Sequence, residues 1–244
     1  MKNSKITNSL RLDSTLVRRG LISTRSQAEQ EVEFGNVTVN GKIIKKTSFL
    51  VKPEDKVRLI KKNPYVSRAG LKLASVAKKL SIDFKNMTVL DVGSSTGGFT
   101  DFALQHGAGK VIAVDVGTDQ MHPNLKDNPK IELYEQTDIR NFITKEKVDL
   151  VLIDVSFISL RSVLPHISVI APEATIIAMC KPQFEAAQKQ LANGVVKNSA
   201  YRREILANFE QWLRANNLVI QSKADSDIPG EKGNIERFYK LSIR

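Results

Sequence analysis

Five short apolar runs in this 244-residue chain each end beside a residue that can do chemistry. Val89 to Val92 contains Asp91, and Val111 to Val114 is followed by Asp115. Ile131 to Leu133 has Asp138 in the loop beyond it, Leu150 to Ile153 leads to Asp154, and Ile176 to Met179 leads to Lys181, which stands directly before a proline. Carboxylates in such positions can accept sugar hydroxyls or the N–H edge of a base, and an amine near a carboxylate can hold or move a proton. Taken singly, a strand-end Asp is often only a cap or turn residue, and a strand-end lysine commonly carries its amine to water on an apolar stem. Their recurrence at one structural position points to a shared ligand crevice.

The first run continues into a turn, and Val89 to Asp101 reads VLDVGSSTGGFTD. Gly93, Gly97 and Gly98, with Ser94, Ser95 and Thr96 between them, let the chain turn with little side-chain bulk. Main-chain N–H groups and the start of a helix at Phe99 would then face the crevice. The alternative is an ordinary strand-to-helix turn that binds nothing. The glycine spacing does not match a dinucleotide fingerprint, and the Gly-Lys pair of a phosphate-binding P-loop is missing because Phe99 follows Gly98. A turn poor in cations suits a nucleotide-like ligand whose reactive end is not a polyanion, and S-adenosylmethionine, a sulfonium, meets that requirement. The expected contacts are Asp91, Gly93, Ser95, Thr96, Gly97, Gly98 and Phe99, with Asp154 at the edge of the crevice. Asp115, about twenty residues beyond the turn, would accept both ribose hydroxyls, and Asp138 or Ile139 would meet the adenine edge.

These positions require an α/β scaffold. The runs alternate with helical stretches, the first from Gly98 to Gln105, and predict a doubly wound, mostly parallel, seven-stranded Rossmann-like sheet. A long helix from about Arg202 to Arg214 and a terminal hairpin of Leu218 to Gln221 with Phe238 to Ile243 would complete it. Upstream, Tyr65 to Arg68 leads into a helix with Leu71, Ala74, Ala77 and Leu80 expected inward and Lys72 near its start, ordinarily a solvated lysine. Lys61-Lys62 and Asn63-Pro64 mark a linker, dividing the chain into 1–62 and 63–244.

Residues 1–62 read as a small α+β module. Leu12, Leu16 and Val17 share a helical face ending at Gly20, Thr24 and Gln27 can cap a second helix ending at Gly35, and Val37-Thr38-Val39 and Lys42-Ile43-Ile44 flank the hairpin pair Asn40-Gly41, with Val57 to Leu59 as a further strand. The net charge of +11 is concentrated here, with 14 Lys or Arg against 6 Asp or Glu in this quarter of the chain. That asymmetry points to a polyanion partner rather than a merely solvated face. Arg11, Arg18, Arg19, Arg25, Lys42, Lys45 and Lys46, together with Arg68 at the start of the next helix, are the candidate RNA contacts. Cys180 is the single cysteine, which excludes an internal disulfide and a cysteine metal cluster, and His106, His122 and His166 lack ligand spacing, so no metal site is expected. A reducing cytoplasm is the simplest setting. The opening MKNSKITNSL lacks the apolar segment of a signal peptide, and the apolar runs near Val151 and Ile176 are interrupted before membrane-spanning length, so no membrane partner is expected.

The order RLDSTLVRRGLISTRSQAEQEVEFGNVTVNGK, with Arg-Leu-Asp at 11–13, Ser-Thr-Arg at 23–25 and Val-Thr-Val-Asn-Gly at 37–41, resembles the alpha-L type RNA-binding domain of a ribosomal small-subunit protein and of many RNA-modifying enzymes. The resemblance implies structured RNA as the partner. DVGSSTGGFTD, AVDVG, DVSFISL, KPQFE and GNIER, joined to that module, resemble the TlyA-type family of haemolysins and ribosomal RNA 2′-O-methyltransferases, whose catalytic domain is similar to the FtsJ type. What this implies is S-adenosylmethionine-dependent methylation of the ribose 2′-hydroxyl of cytidine in ribosomal subunits. It also implies a Lys-Asp-Lys-Glu tetrad, which by motif falls on Lys72 in SRAGLKL, Asp154 in DVSFISL, Lys181 in KPQFE and Glu236 in GNIE. A neutral amine at Lys181 would take the hydroxyl proton, and Asp154 and Glu236 would orient the amines. Two other classes stand beside this one. The first is an RNA-binding assembly factor without turnover, and the second is a pore-forming haemolysin, for which the chain offers neither a membrane-spanning run nor a strongly amphipathic basic helix.

Overall fold

The computed structural model describes residues 9–60, 63–196, 198–230 and 233–244. The chain forms two compact units, Met1–Pro64 and Tyr65–Arg244. Lys61 and Lys62, on which the expected boundary rests, and the first eight residues of the MKNSKITNSL stretch lie outside the described residues.

In the N-terminal unit a two-residue strand, β1 (Leu10–Arg11), runs straight into α1 (Leu12–Arg18), and α2 (Arg25–Glu33) follows. The hydroxyl of Thr24 caps α2 by accepting from the Gln27 N–H at 3.3 Å. Strands β2 (Val37–Val39), β3 (Lys42–Ile43), β4 (Leu50–Val51) and β5 (Val57–Leu59) come next. β2 lies between β3 and β5 in an antiparallel sheet, while β4 pairs with β1. Asn40 and Gly41 take φ of +51° and +81°, the two positive values that an Asn-Gly hairpin turn needs. Leu12, Leu16, Ala28, Val32, Val37, Val39 and Val51 make the core of this unit.

The second unit begins with α3 (Arg68–Ala77), β6 (Thr88–Val92), α4 (Gly98–Gln105), β7 (Lys110–Val114), α5 (Pro123–Lys126) and β8 (Ile131–Tyr134). It continues with β9 (Leu150–Ile153), α6 (Leu164–Ile170), β10 (Thr175–Cys180), α7 (Pro182–Glu185), α8 (Ser199–Ala215), β11 (Leu218–Asp225) and β12 (Arg237–Ile243). Seven strands form one sheet in the order β11-β12-β10-β9-β6-β7-β8, in which β12 is antiparallel to both neighbours and the other neighbouring pairs are parallel. Both faces are covered. Val89, Leu150, Leu152 and Ile177 pack under α3 and α4, whereas Leu90, Val92, Val151, Ile153 and Ile176 pack under α6 and α8. Burial on both sides is why these strands read as continuous apolar runs instead of alternating ones. β6 lies between β7 and β9, so the connections that follow β6 and β8 run to opposite sides of it, the arrangement that opens a crevice at strand carboxyl ends in such sheets.

α3 departs from the sequence expectation. Its buried residues are Gly70, Leu73 and Val76, with Leu80 buried beyond its end, while Leu71, Ala74 and Ala77 are only partly covered. Ala74 and Ala77 still pack against the same core as Leu80, so the inward face is shifted toward Gly70, Leu73 and Val76 and only Leu71 leaves it. At Gly70 a Cβ would stand 2.6 Å from the Cβ of Tyr65 and 2.9 Å from the carbonyl oxygen of Gly98, so only glycine allows this approach to α4.

Candidate active site

Gly93 ends β6 with φ +80°, and a Cβ there would lie 2.6 Å from the carbonyl oxygen of Asp154. The missing side chain thus lets the end of β6 pass against the end of β9. Gly97, at φ +86°, has Met121 and Leu125 at 2.5 Å from a would-be Cβ. The turn uses several of its own N–H groups: Gly93 and Ser94 donate to Val114 O at 2.9 and 3.2 Å, and Gly97 to Ser94 O at 2.7 Å. These three groups are tied to the scaffold.

Asp91 is fully buried on the α4 face of β6, where the Thr100 hydroxyl donates to its Oδ2 at 2.6 Å. Its Oδ1 has no hydrogen-bond partner among the described residues, and neither does the buried Ser94 Oγ. Burial pushes the Asp91 carboxyl up to about 7 against the bond from Thr100, and the charges of Asp154 and Asp115 add to the rise. Asp115, just beyond β7, accepts from Ser95 N at 2.8 Å and from Gly117 N at 2.7 Å. It therefore pins the glycine turn to the end of β7. Asp138 stands apart. It accepts from the main-chain N–H of Arg140 at 2.9 Å and pairs with the Arg140 guanidinium at 2.5 Å, which holds its carboxyl down at about 2. The charges of Arg140 and His166 also lower it, while Ile139 beside it is buried.

The four residues implied as a tetrad come from α3, the end of β9, the end of β10 and the start of β12, and they form two ion pairs. Lys72 Nζ lies 2.9 Å from Glu236 Oε1 and 2.6 Å from Oε2, although 164 residues separate the pair in sequence. Lys181 Nζ lies 2.7 Å from Asp154 Oδ1, an ion contact off the hydrogen-bond direction, and donates to Ser156 Oγ at 2.7 Å. Burial raises the Glu236 carboxyl while Lys72 pulls it down; Asp154 and Lys181 also act on it, so the two pairs share one electrostatic environment. Gly230 gives Glu236 its room, since a Cβ there would stand 2.9 Å from Oε1.

Ser156 was not singled out from the sequence, although it lies in the DVSFISL stretch two residues beyond Asp154. Nor was Phe157 next to it, which is 91% exposed, takes φ +64° and has its ring 5.4 Å from that of Phe184. Lys181 Nζ lies 6.0 Å from the Phe184 ring centre. Among the candidate RNA contacts, Arg18, Lys42, Lys45 and Lys46 are exposed. Arg11 and Arg25 instead hold the buried Asp13, at 2.5 and 3.3 Å, and the bonds from Arg11 keep that carboxyl well below its ordinary range. Arg19 donates to the carbonyl of Asp55 at 2.7 Å, and Arg68 to that of Pro229 at 2.9 Å. Among the described residues no cluster of His, Cys, Asp and Glu could hold a metal ion, and no helix is long and apolar enough to cross a membrane.

The FtsJ-like methyltransferase family model matches residues 65–242, and the S4 domain model matches residues 10–57. Over 252 residues the chain is 37% identical to the 23S rRNA (cytidine-2′-O)-methyltransferase TlyA of Campylobacter jejuni, a match that covers 94% of this chain and 98% of that protein. It is 35% identical to the 16S/23S rRNA (cytidine-2′-O)-methyltransferase TlyA of Mycobacterium tuberculosis, covering 95% and 89%. A solved structure from Streptococcus thermophilus, described as a hemolysin, is similar with a TM-score of 0.76 at 34% identity, covering 97% of this chain and 89% of that one.

Proposed function

The chain belongs to the FtsJ-like methyltransferase family, as a TlyA-type member with an S4 domain ahead of the catalytic unit, and from that premise we propose that it methylates the ribose 2′-hydroxyl of cytidine in ribosomal RNA. The observation that carries this reading is the Lys181 amine held between Asp154 and Ser156, with the Lys72–Glu236 pair in the same electrostatic environment.

S-adenosylmethionine fits the crevice on three features of this chain. Gly93 brings bare main chain at the end of β6 against the end of β9, Asp91 Oδ1 and Ser94 Oγ are buried polar atoms without partners among the described residues, and Asp91, Asp115 and Asp154 together favour a cationic ligand. Gly93, Ser95, Thr96, Gly97, Gly98 and Phe99 would line its path. Asp115 would take the ribose hydroxyls, for which its oxygens keep lone pairs beyond those bonded by Ser95 and Gly117. Asp138 and Ile139 are the candidates for the adenine edge. When bound, this cofactor supplies a methyl group already activated by the sulfonium, so the protein's task is alignment and proton removal.

Lys181 performs the second part. A ribose 2′-hydroxyl is a weak acid, and its oxygen becomes a competent nucleophile as its proton passes to Lys181 Nζ, whose ammonium must first give up a proton to solvent. Asp154 and Ser156 restrict where that amine points. Lys72 places a positive charge where negative charge develops on the hydroxyl oxygen, and Glu236 keeps Lys72 in place. The exposed lysines of the N-terminal unit supply phosphate contacts that hold structured RNA without reading its bases.

The test is methyl transfer from labelled S-adenosylmethionine to ribosomal subunits by the purified full-length protein, followed by mapping of ribose methylation. Label on a cytidine ribose, lost in Lys181→Ala, is the expected result. Label on a base would refute the reading, and tight RNA binding with no label would favour an assembly factor. Leakage from liposomes without methyl transfer would favour the haemolysin reading.

A further inference from the structure

Glu185 is a buried carboxylate for which the reaction above has no direct use. It is the last residue of α7, and its side chain is 1% exposed. Its partners all come from the segment that follows β9: Ser159 Oγ donates to Oε2 at 2.6 Å, Leu160 N donates to Oε1 at 2.7 Å, and Arg161 Nε stands 3.5 Å from Oε2. The Arg161 guanidinium in turn lies 5.9 and 6.0 Å from the ring centres of Phe209 and Trp212 on α8. Burial raises the Glu185 carboxyl against these donors. An apolar side chain of similar size would leave the Leu160 N–H and the Ser159 hydroxyl without their acceptor, so the carboxylate ties α7 to this segment.

Lys181 immediately precedes α7 and grips the same segment at its other end, through Asp154 and Ser156. The single turn of α7 therefore bonds the stretch from Asp154 to Leu160 twice, once from each of its ends. Between the two grips lies Phe157 at φ +64°, a left-handed conformation that a bulky residue keeps only when its surroundings impose it. Released at Ser159 and Leu160, the segment could relax at Phe157 and carry Ser156 away from the amine.

We propose that Glu185 is a positioning residue: by fixing Ser159 and Leu160 it holds Ser156 and Asp154 against Lys181 Nζ and so sets the direction of the amine toward the 2′-hydroxyl. This rests on the reading of Lys181 as the group that takes the proton.

The experiment compares single-turnover methylation of ribosomal subunits, taken from cells lacking the modification, by the full-length wild type, Glu185→Gln, Ser159→Ala, Ser156→Ala and the Glu185→Gln/Ser156→Ala double variant. Glu185→Gln is expected to slow the step by about tenfold to a hundredfold, the usual effect of displacing a catalytic group slightly, with the KM for RNA and the affinity for S-adenosylmethionine unchanged. In the Ser156→Ala background the same substitution should cost much less, because the link it acts through is already cut. Ser159→Ala removes the hydroxyl's bond to the carboxylate and the one it accepts from Arg161 N, while Leu160 N still donates to Glu185, so it should show a smaller loss of the same kind even if Glu185→Gln folds poorly. A normal rate in both Glu185→Gln and Ser159→Ala, or losses that multiply fully with Ser156→Ala, would overturn the inference. A wild type that fails to methylate RNA would overturn the functional reading itself, which separates the two failures.

Discussion

Asp91→Asn isolates the buried carboxyl at the crevice. The Asp91 carboxyl stands at about 7 in the folded chain against an ordinary value of 3.8, so between those values the folded state binds more protons than the unfolded one. A group raised in this way lowers stability as pH rises through the window, and the loss is complete once pH exceeds the folded value. The shift of about 3 units, at about 1.4 kcal/mol per unit, corresponds to roughly 4 kcal/mol in all, of which about 3 kcal/mol falls between pH 5 and 8. Asparagine keeps an oxygen to accept from Thr100 and carries no charge at any pH. The difference in stability between Asp91→Asn and wild type should therefore grow by about 3 kcal/mol in favour of the variant from pH 5 to pH 8, which for a unit of this size is a melting-temperature difference of roughly 6–12 °C. Thermal and urea unfolding of both proteins at half-unit pH steps measures it, and the subtraction removes the titration of Glu185, Glu236 and other shared groups. A difference that stays constant with pH would show that Asp91 is ionised in its buried site, and the argument from burial would fail.

Asp115→Ala is expected to weaken S-adenosylmethionine binding by about 1–3 kcal/mol in titration calorimetry, the usual cost of losing charge-assisted hydrogen bonds; unchanged affinity would remove it from the cofactor site. Lys181→Ala should lower the single-turnover rate by about 10²–10⁴-fold, and Lys181→Arg should lose most activity as well, since a guanidinium keeps its proton. Near-normal rates for the arginine variant would show that only the positive charge matters. Replacing the exposed Lys42 and Lys45 together by alanine should weaken RNA binding about equally across sequences and reduce the slope of log affinity against log salt by roughly 1 for each phosphate that is no longer neutralised. A change in sequence preference with an unaltered salt slope would argue against a phosphate-binding role for these lysines.

The parallel strands, the glycine turn and the Asn-Gly hairpin could be read directly from residue order, because each depends on neighbours in sequence: a run buried on both faces is apolar throughout, and the positive φ of the hairpin falls on Asn40 and Gly41. The tetrad was different. Spacing alone left Lys72 a surface lysine and Lys181 a snorkelling one, and only likeness to known motifs linked them to Asp154 and Glu236. Tertiary structure decided which charges met: Lys72 and Glu236 pair across 164 residues, and Lys181 reaches back to Asp154 and Ser156. It also made Gly70, Leu73 and Val76 the most buried positions of α3, beside the Ala74, Ala77 and Leu80 that periodicity gives, because α3 approaches α4 closely at Gly70. Arg11 and Arg25, expected on RNA, also pair with the buried Asp13 while their own side chains stay partly exposed, and Asp138 was captured by its own neighbour Arg140. A local pattern specifies backbone shape and which residues are apolar. Which ionisable group is buried, and beside which partner, depends on chain segments far apart in sequence, and that is where the chemistry of Asp91, Glu185 and the two lysine pairs was set.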